Sequence, residues 1–171
     1  MHRYQEQNSN LTLREGLEDY YNSFPSSKDI FKDDNNSGTL LRDHDCTHVI
    51  FGLDISIDQE AILDVWTLFG SSYKWSYILK YRDLPQLKGL YNSLWKEFGL
   101  HGFIKIYLKL SPILVKAFFR TRKMKKKWPF MVPEHLFDKK ISDLRKEYGI
   151  TVLTLQDLSY EATVWSGEIN K

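Results

Sequence analysis

Four residues have the types and spacing to capture one divalent cation: His44, Asp45, His48 and Glu60, in the string RDHDCTHVIFGLDISIDQEA. On a helix, histidines four residues apart stand one above the other, about 6 Å apart, the separation at which two imidazoles reach one ion. Asp45 lies about 100° from His44 and about 60° from His48 around the axis, so the three share one arc. Glu60 joins them only if the chain reverses, because continuous helix at about 1.5 Å per residue would carry it roughly 18 Å away. Two imidazoles and two carboxylates form a mixed N/O set. It suits zinc first, and manganese, iron or cobalt, better than the all-oxygen shells of calcium or magnesium, although geometry still admits magnesium. H-x-x-x-H alone is common on solvated helix faces; the two carboxylates sharpen it. Asp43, beside the cluster, is a candidate acceptor for an imidazole N–H. Cys46, about 200° from His44, should point away as a buried thiol. His2, His101 and His135 have no matching partners.

The elements that must position this set are helical. Residues 11–24 have apolar positions at helical spacing and stop before Pro25. A loop through SSKD and DDNNSG leads to a helix from about Thr39 to Phe51, with Ser37 or Thr39 as N-cap and Gly52 as terminator. Ser56 and Gln59 have the spacing of a capping box, so the next helix should begin near Ile57 and present Glu60 in its first turns. It is expected to run on into WTLFGSSYKWSYIL with a bend around Gly70. Asp83 and Pro85 open a helix over roughly 84–98. HLFDKKISDLRKEYG reads as the last helix, ending at Gly149, and the tail after it either forms a short strand or docks. The expected fold is all-α, a single domain over 1–171.

Residues 103–119, FIKIYLKLSPILVKAFF, are almost wholly apolar except for Lys105, Lys109 and Lys116. At about 100° per residue these three fall within a narrow stripe, and Pro112 is expected to kink the helix. One reading is a buried helix with snorkelling lysines; the other is an apolar face lining a lipid tunnel or entering a bilayer boundary. The run Arg120, Arg122, Lys123 and Lys125 to Lys127 follows it and suits anionic lipid. Charge is divided along the chain: residues 1–64 carry five Lys/Arg against thirteen Asp/Glu, residues 65–150 eighteen against six. A basic half implies an anionic partner. Without a zinc-finger or RNP-type motif, and with Trp66, Trp75, Trp95 and Phe118 reading as core positions, a membrane is favoured over nucleic acid. The single cysteine excludes an intramolecular disulfide framework. No signal or transit segment and no spanning run of about 18 apolar residues is visible.

The spacing H-D-x-x-H, eleven residues, then Glu resembles the coenzyme Q biosynthesis protein four family, most strongly over residues 40–64. The resemblance implies a mostly helical fold, a divalent metal held by the four side chains, and a polyprenyl chain in an apolar tunnel with its head near the metal. It also implies a place in ubiquinone biosynthesis, as organiser of the other biosynthetic proteins or as catalyst of oxidative decarboxylation and hydroxylation of a polyprenylated ring. The expected location is cytoplasmic, peripheral to the cytoplasmic membrane face, in a bacterial-type member. Lys105, Lys109, Lys116, Arg120 and Arg122 are the candidate lipid or membrane contacts. Two alternatives stand beside it. The His44–Asp45 dyad is also used by helical metal phosphohydrolases, which need a further upstream His and downstream Asp. A non-catalytic lipid-binding scaffold needs only the apolar space.

Overall fold

The computed structural model describes residues 2–25, 37–77 and 85–166. Among these the chain is all-α. Its helices are α1 (Leu13–Ser23), α2 (Ser37–Phe51), α3 (Ile57–Val65), α4 (Pro85–Arg122) and α5 (Ile141–Tyr148), with short 3-10 turns at Arg3–Gln5 and Glu134–Leu136. No strand forms among the described residues, and the tail docks instead. The loop expected over SSKD and DDNNSG lies outside the described residues up to residue 36, as does Asp83, whereas Ser37 and Gly38 already belong to α2, which starts earlier than the expected Thr39.

Several boundaries follow from local chemistry. Thr12 caps α1 by accepting from Glu15 N while Glu15 Oε2 accepts from Thr12 N at 2.8 Å. Gly52, at φ +72°, ends α2: its N–H donates to Val49 O at 3.3 Å and that of Leu53 donates to His48 O at 3.0 Å, the paired bonds of a left-handed helix stop. The capping box expected at Ser56 and Gln59 does not form. Both side chains turn instead to Asp54, which takes Ser56 Oγ at 2.6 Å and Gln59 Nε2 at 2.6 Å. A full carboxylate beside a helix N-terminus is the stronger acceptor. α3 then widens into a π turn over Trp66–Gly70 and ends there: the helix expected to bend at Gly70 and run on instead gives way to extended chain, Ser71 pairing with Trp128 as Trp128 N donates to Gly70 O at 2.9 Å and Ser72 N to Trp128 O at 2.8 Å.

Two other expectations are corrected. The helix expected from His135 starts only at Ile141, because the preceding backbone pairs with the start of α1: Leu13 N donates to Lys139 O at 2.9 Å and Ile141 N to Leu11 O at 2.8 Å. In α4 the non-helical residue is Gly99, at φ +53°, so segments 85–98 and 100–122 meet there, while the backbone dihedrals remain helical through Pro112.

The core joins Leu13, Leu17 and Tyr20 of α1, Cys46, Val49, Ile50 and Phe51 of α2, Ile62, Leu63 and Trp66, and Ile141 and Leu144 of α5. The thiol of Cys46 is fully buried, as expected, and burial pushes its pKa up. Gly16 lets the helices approach closely: a Cβ there would meet Ile141 Cδ1 at 2.5 Å and Val49 Cγ1 at 2.9 Å. Arg145, fully buried, donates to Ile50 O and Val49 O at the end of α2 (2.8 and 2.9 Å), to Tyr4 O (2.8 Å) and to Glu6 O. A guanidinium on the last carbonyls of α2 complements the helix dipole and fixes the helix that carries the histidines. Trp66 is core as expected, but Trp75 and Trp95 are 71% and 60% exposed.

Candidate metal centre

α2 presents His44 and His48 with ring centroids 4.9 Å apart. Asp45 lies beside them, its Oδ1 3.4 Å from His44 Nδ1. One ligand atom from each of His44, Asp45 and His48 lies within 4.8 Å of the others, so this cluster can hold a metal ion. The reversal required of the chain takes place at Gly52 and the Asp54 turn. α3 is anchored from behind by Ile57 and Ala61, packed on Ile106 and Leu110 of α4, and by buried Asp58, which pairs with Lys109 at 2.9 Å. Thus held, it places Glu60 Oε1 3.3 Å from His48 Nε2. Glu60 faces the cluster through His48 but stands outside the three-residue group, and its side chain is 43% exposed.

His48 tests whether a cation fits. Its side chain is wholly buried; Nδ1 has no hydrogen-bond partner among the described residues, and Nε2 has only the long approach to Glu60 Oε1 at 3.3 Å. A buried polar atom left so costs about 1–3 kcal/mol. An imidazole must offer a lone pair from one nitrogen, and a carboxylate facing it repels that pair unless a proton or metal lies between. Tyr20 packs its ring 5.4 Å from the imidazole, which restricts its orientation.

The surrounding charges agree. For His44, burial acts to lower the pKa, but the Asp45 contact and the charges of Glu60 and Asp64 raise it overall. Burial raises Asp45 and Asp64. It is also the largest influence on Glu60, where the charge and contact of His48 together with the charge of His44 outweigh it and leave the carboxyl lowered. Such a set favours an added positive charge.

The remaining candidates fall elsewhere. Asp43 does not support an imidazole: Oδ1 pairs with Arg42 at 2.9 Å and Oδ2 accepts from Val132 N at 3.1 Å, so neighbours outside the centre engage both oxygens. The basic stripe of α4 faces the C-terminal tail. Lys109 bonds Asp58, Glu161 O and Thr163; Lys116 and Arg120 share Asp157, and Arg120 also reaches Val152 O. The sequence expectation assigned these three to lipid, and the tail carboxylates and carbonyls take them first because they lie within contact distance at no translational cost. Lys105 and Arg122 are exposed. His2 is held at Ser23 Oγ, 2.9 Å away, and stacks on Tyr4.

The apolar side of α4 is open. With Ile104 at zero and about 100° per residue, Leu100, Leu108, Val115 and Phe119 fall between about −40° and +60°. All five are exposed. Ile106, Leu110 and Ala117, buried, lie near about 200–240°. α4 therefore has three sides: core, tail-bound cations and an uncovered apolar stripe. No helix among the described residues is long and apolar enough to cross a membrane.

Sequence reasoning missed Asp64 and Tyr107. Asp64 follows Glu60 by four residues, a spacing that could have identified it; the Tyr107 hydroxyl reaches it at 2.5 Å from α4, which no local pattern signals. Compared with protein-family models, curated proteins and solved structures, the chain matches none of them.

Proposed function

We propose that the chain holds one divalent ion, zinc in first place, at His44, Asp45 and His48 with Glu60 completing the set. In this reading it orients the head of a polyprenyl lipid or quinone precursor at the cytoplasmic face of a membrane, as in the ubiquinone biosynthesis family it resembles. The observation that carries the reading is the wholly buried His48, with Nδ1 lacking a hydrogen bond and Nε2 facing a carboxylate from another helix at 3.3 Å. A bound ion supplies Lewis acidity toward a head-group oxygen. The chain's own groups do the rest: Tyr20 restricts the His48 ring, Asp45 sets that of His44, and α3 carries Glu60 to the open side.

Lipid handling is supported by the uncovered stripe Leu100, Ile104, Leu108, Val115 and Phe119, joined to the centre through Tyr107. An exposed apolar strip, interrupted at Ser111 and ending on Arg122 with Lys123 beside it, matches an interfacial helix. Oxidative decarboxylation and hydroxylation of the ring, or organisation of the other biosynthetic proteins, follows from the resemblance.

Native mass spectrometry of the protein purified from a membrane-containing lysate tests both halves. The expected result is one divalent ion and one polyprenyl-sized adduct per chain, with His48→Ala losing the ion. Wild-type protein carrying neither, or a His48→Ala variant that keeps the ion, would overturn the reading.

A further inference from the structure

A second surface feature lies where the π turn meets the end of α4. Leu68 and Phe69 are exposed on the turn, and Val115 and Phe119 are exposed on α4. Their rings join the two elements: Phe69 meets Phe118 edge-on with centroids 5.0 Å apart, and Phe118 meets Phe119 at 5.8 Å. Close approach fixes the junction, since a Cβ on Gly70 would stand 3.1 Å from Met124 Sδ and 3.2 Å from Thr121 Cγ2. Phe69 and Phe119 nevertheless remain 48% and 58% exposed. Rings held this firmly in water forgo burial that a partner would supply.

A basic loop borders the same patch. Residues 98–133 contain nine Lys/Arg and no Asp or Glu. Lys109, Lys116, Arg120 and Lys126 are neutralised by Asp58, Asp157 and Glu147. Arg122, Lys123 and Lys127 are exposed and have no acidic partner among the described residues. Arg122 closes α4 on the side of Val115 and Phe119, the three lying within about 60° around the axis. The loop after it is pinned by backbone bonds: Lys125 N donates to Tyr148 O at 2.9 Å, and Trp128 N donates at 2.9 Å to Gly70 O, next in sequence to Phe69. Cations and rings are thus held together.

Protruding apolar side chains bordered by unpaired cations are complementary to apolar depth beneath a layer of negative charge. The backbone of α4 is spent within the helix and offers no edge to a peptide strand. Leu68 and Val115 offer no stacking face to a nucleic acid. We propose that Leu68, Phe69, Val115 and Phe119 dock the chain on an anionic lipid bilayer, entering its acyl boundary while Arg122, Lys123 and Lys127 meet lipid phosphates. This docking rests on the membrane half of the function proposed above and is independent of the ion. It places the contact at one end of α4, away from Lys109 and Lys116, which the tail holds.

The test is flotation of the full chain with vesicles of phosphatidylcholine alone, or of phosphatidylcholine and phosphatidylglycerol in equal parts, at low and high salt. Wild type should float with the mixed vesicles, bind phosphatidylcholine alone at least about tenfold more weakly, and leave the mixed vesicles as salt rises. Phe119→Ser should weaken binding about tenfold, the loss of one ring from the acyl boundary. Arg122→Gln combined with Lys123→Gln should weaken binding to mixed vesicles about 25-fold, roughly fivefold per charge. Each variant should take up zinc as wild type does. Wild type that binds neither vesicle, or both equally, would overturn the docking surface, and so would variants that bind as wild type does. A wild-type dimer in sedimentation equilibrium, split by Phe119→Ser and blind to vesicles, would put a second copy there instead. An RNA oligonucleotide bound more tightly than the mixed vesicles would also overturn it. The vesicle comparison needs no variant to fold. A polyprenyl adduct on a chain that ignores vesicles would sink the docking surface and leave lipid handling standing; vesicle binding without zinc uptake would sink the metal centre alone.

Discussion

Replacing His48 by Leu separates a metal ligand from a structural histidine, because the two roles give opposite results. In the metal-free chain Nδ1 is buried without a hydrogen bond and Nε2 meets only Glu60 Oε1, at 3.3 Å. Removing them recovers on the order of 1–3 kcal/mol of desolvation cost. Against this stand the contact with the Tyr20 ring, worth about 0.5–1.5 kcal/mol, and a shape mismatch of at most about 1.5 kcal/mol. The terms nearly cancel, so His48→Leu in chelator should unfold in urea within about 1 kcal/mol of wild type. With metal the two proteins diverge. An ion at one hundred times its dissociation constant stabilises wild type by about 2.7 kcal/mol, or roughly 5–11 °C in Tm for a chain of this size. His48→Leu should show no such rise in scanning fluorimetry with zinc, and Glu60→Gln a reduced one. A variant that loses about 3 kcal/mol in chelator, yet still responds to zinc as wild type does, would refute the reasoning. His48 would then be a core residue, and the ion would bind elsewhere.

Arg145→Met should cost about 3–5 kcal/mol in urea unfolding, because it removes the guanidinium from four carbonyls, of which Val49 O and Glu6 O keep a backbone N–H while Ile50 O and Tyr4 O lose a buried donor. Gly52→Ala should cost about 1–2 kcal/mol, since φ +72° is strained for any residue with a Cβ and Gln5 O lies only 3.3 Å from where it would stand; thermal unfolding measures it. Burial acts to raise the Asp157 carboxyl, but the Lys116 pair, the Thr154 bonds and Arg120 hold it down at about 2, against 3.8 for the free group. Its contribution, on the order of 1–2 kcal/mol, is therefore complete above the unfolded pKa and lost as pH falls through the folded one. Acid unfolding between pH 4 and 2 should lose that component in Asp157→Asn.

The cluster that can hold an ion was legible because its information is local. His44, Asp45 and His48 sit within one helical turn, so spacing alone puts them on one arc, and Gly52 marks the reversal that Glu60 requires. Helix positions were likewise readable wherever one residue decides a boundary, as Pro25 and Gly149 do. A boundary set by distant partners was not readable, since the late start of α5 depends on Leu11 and Leu13; the turn before α3 is local, but spacing alone did not say which of two nearby acceptors wins.

The three sides of α4 mark the division most clearly. Sequence determined that lysines fall on one stripe and apolar residues on the others, since that is fixed by the helical repeat. It could not say that the lysine stripe would meet Asp58 and Asp157, or that an apolar stripe would stay uncovered, because both depend on where the tail lies. Asp43 makes the same point beside the centre: proximity in sequence gave it an imidazole, while tertiary contacts gave its oxygens to Arg42 and Val132. Sequence thus determined which atoms could act together within a turn of helix. Only the packing of helices on one another decided which of them had already been claimed.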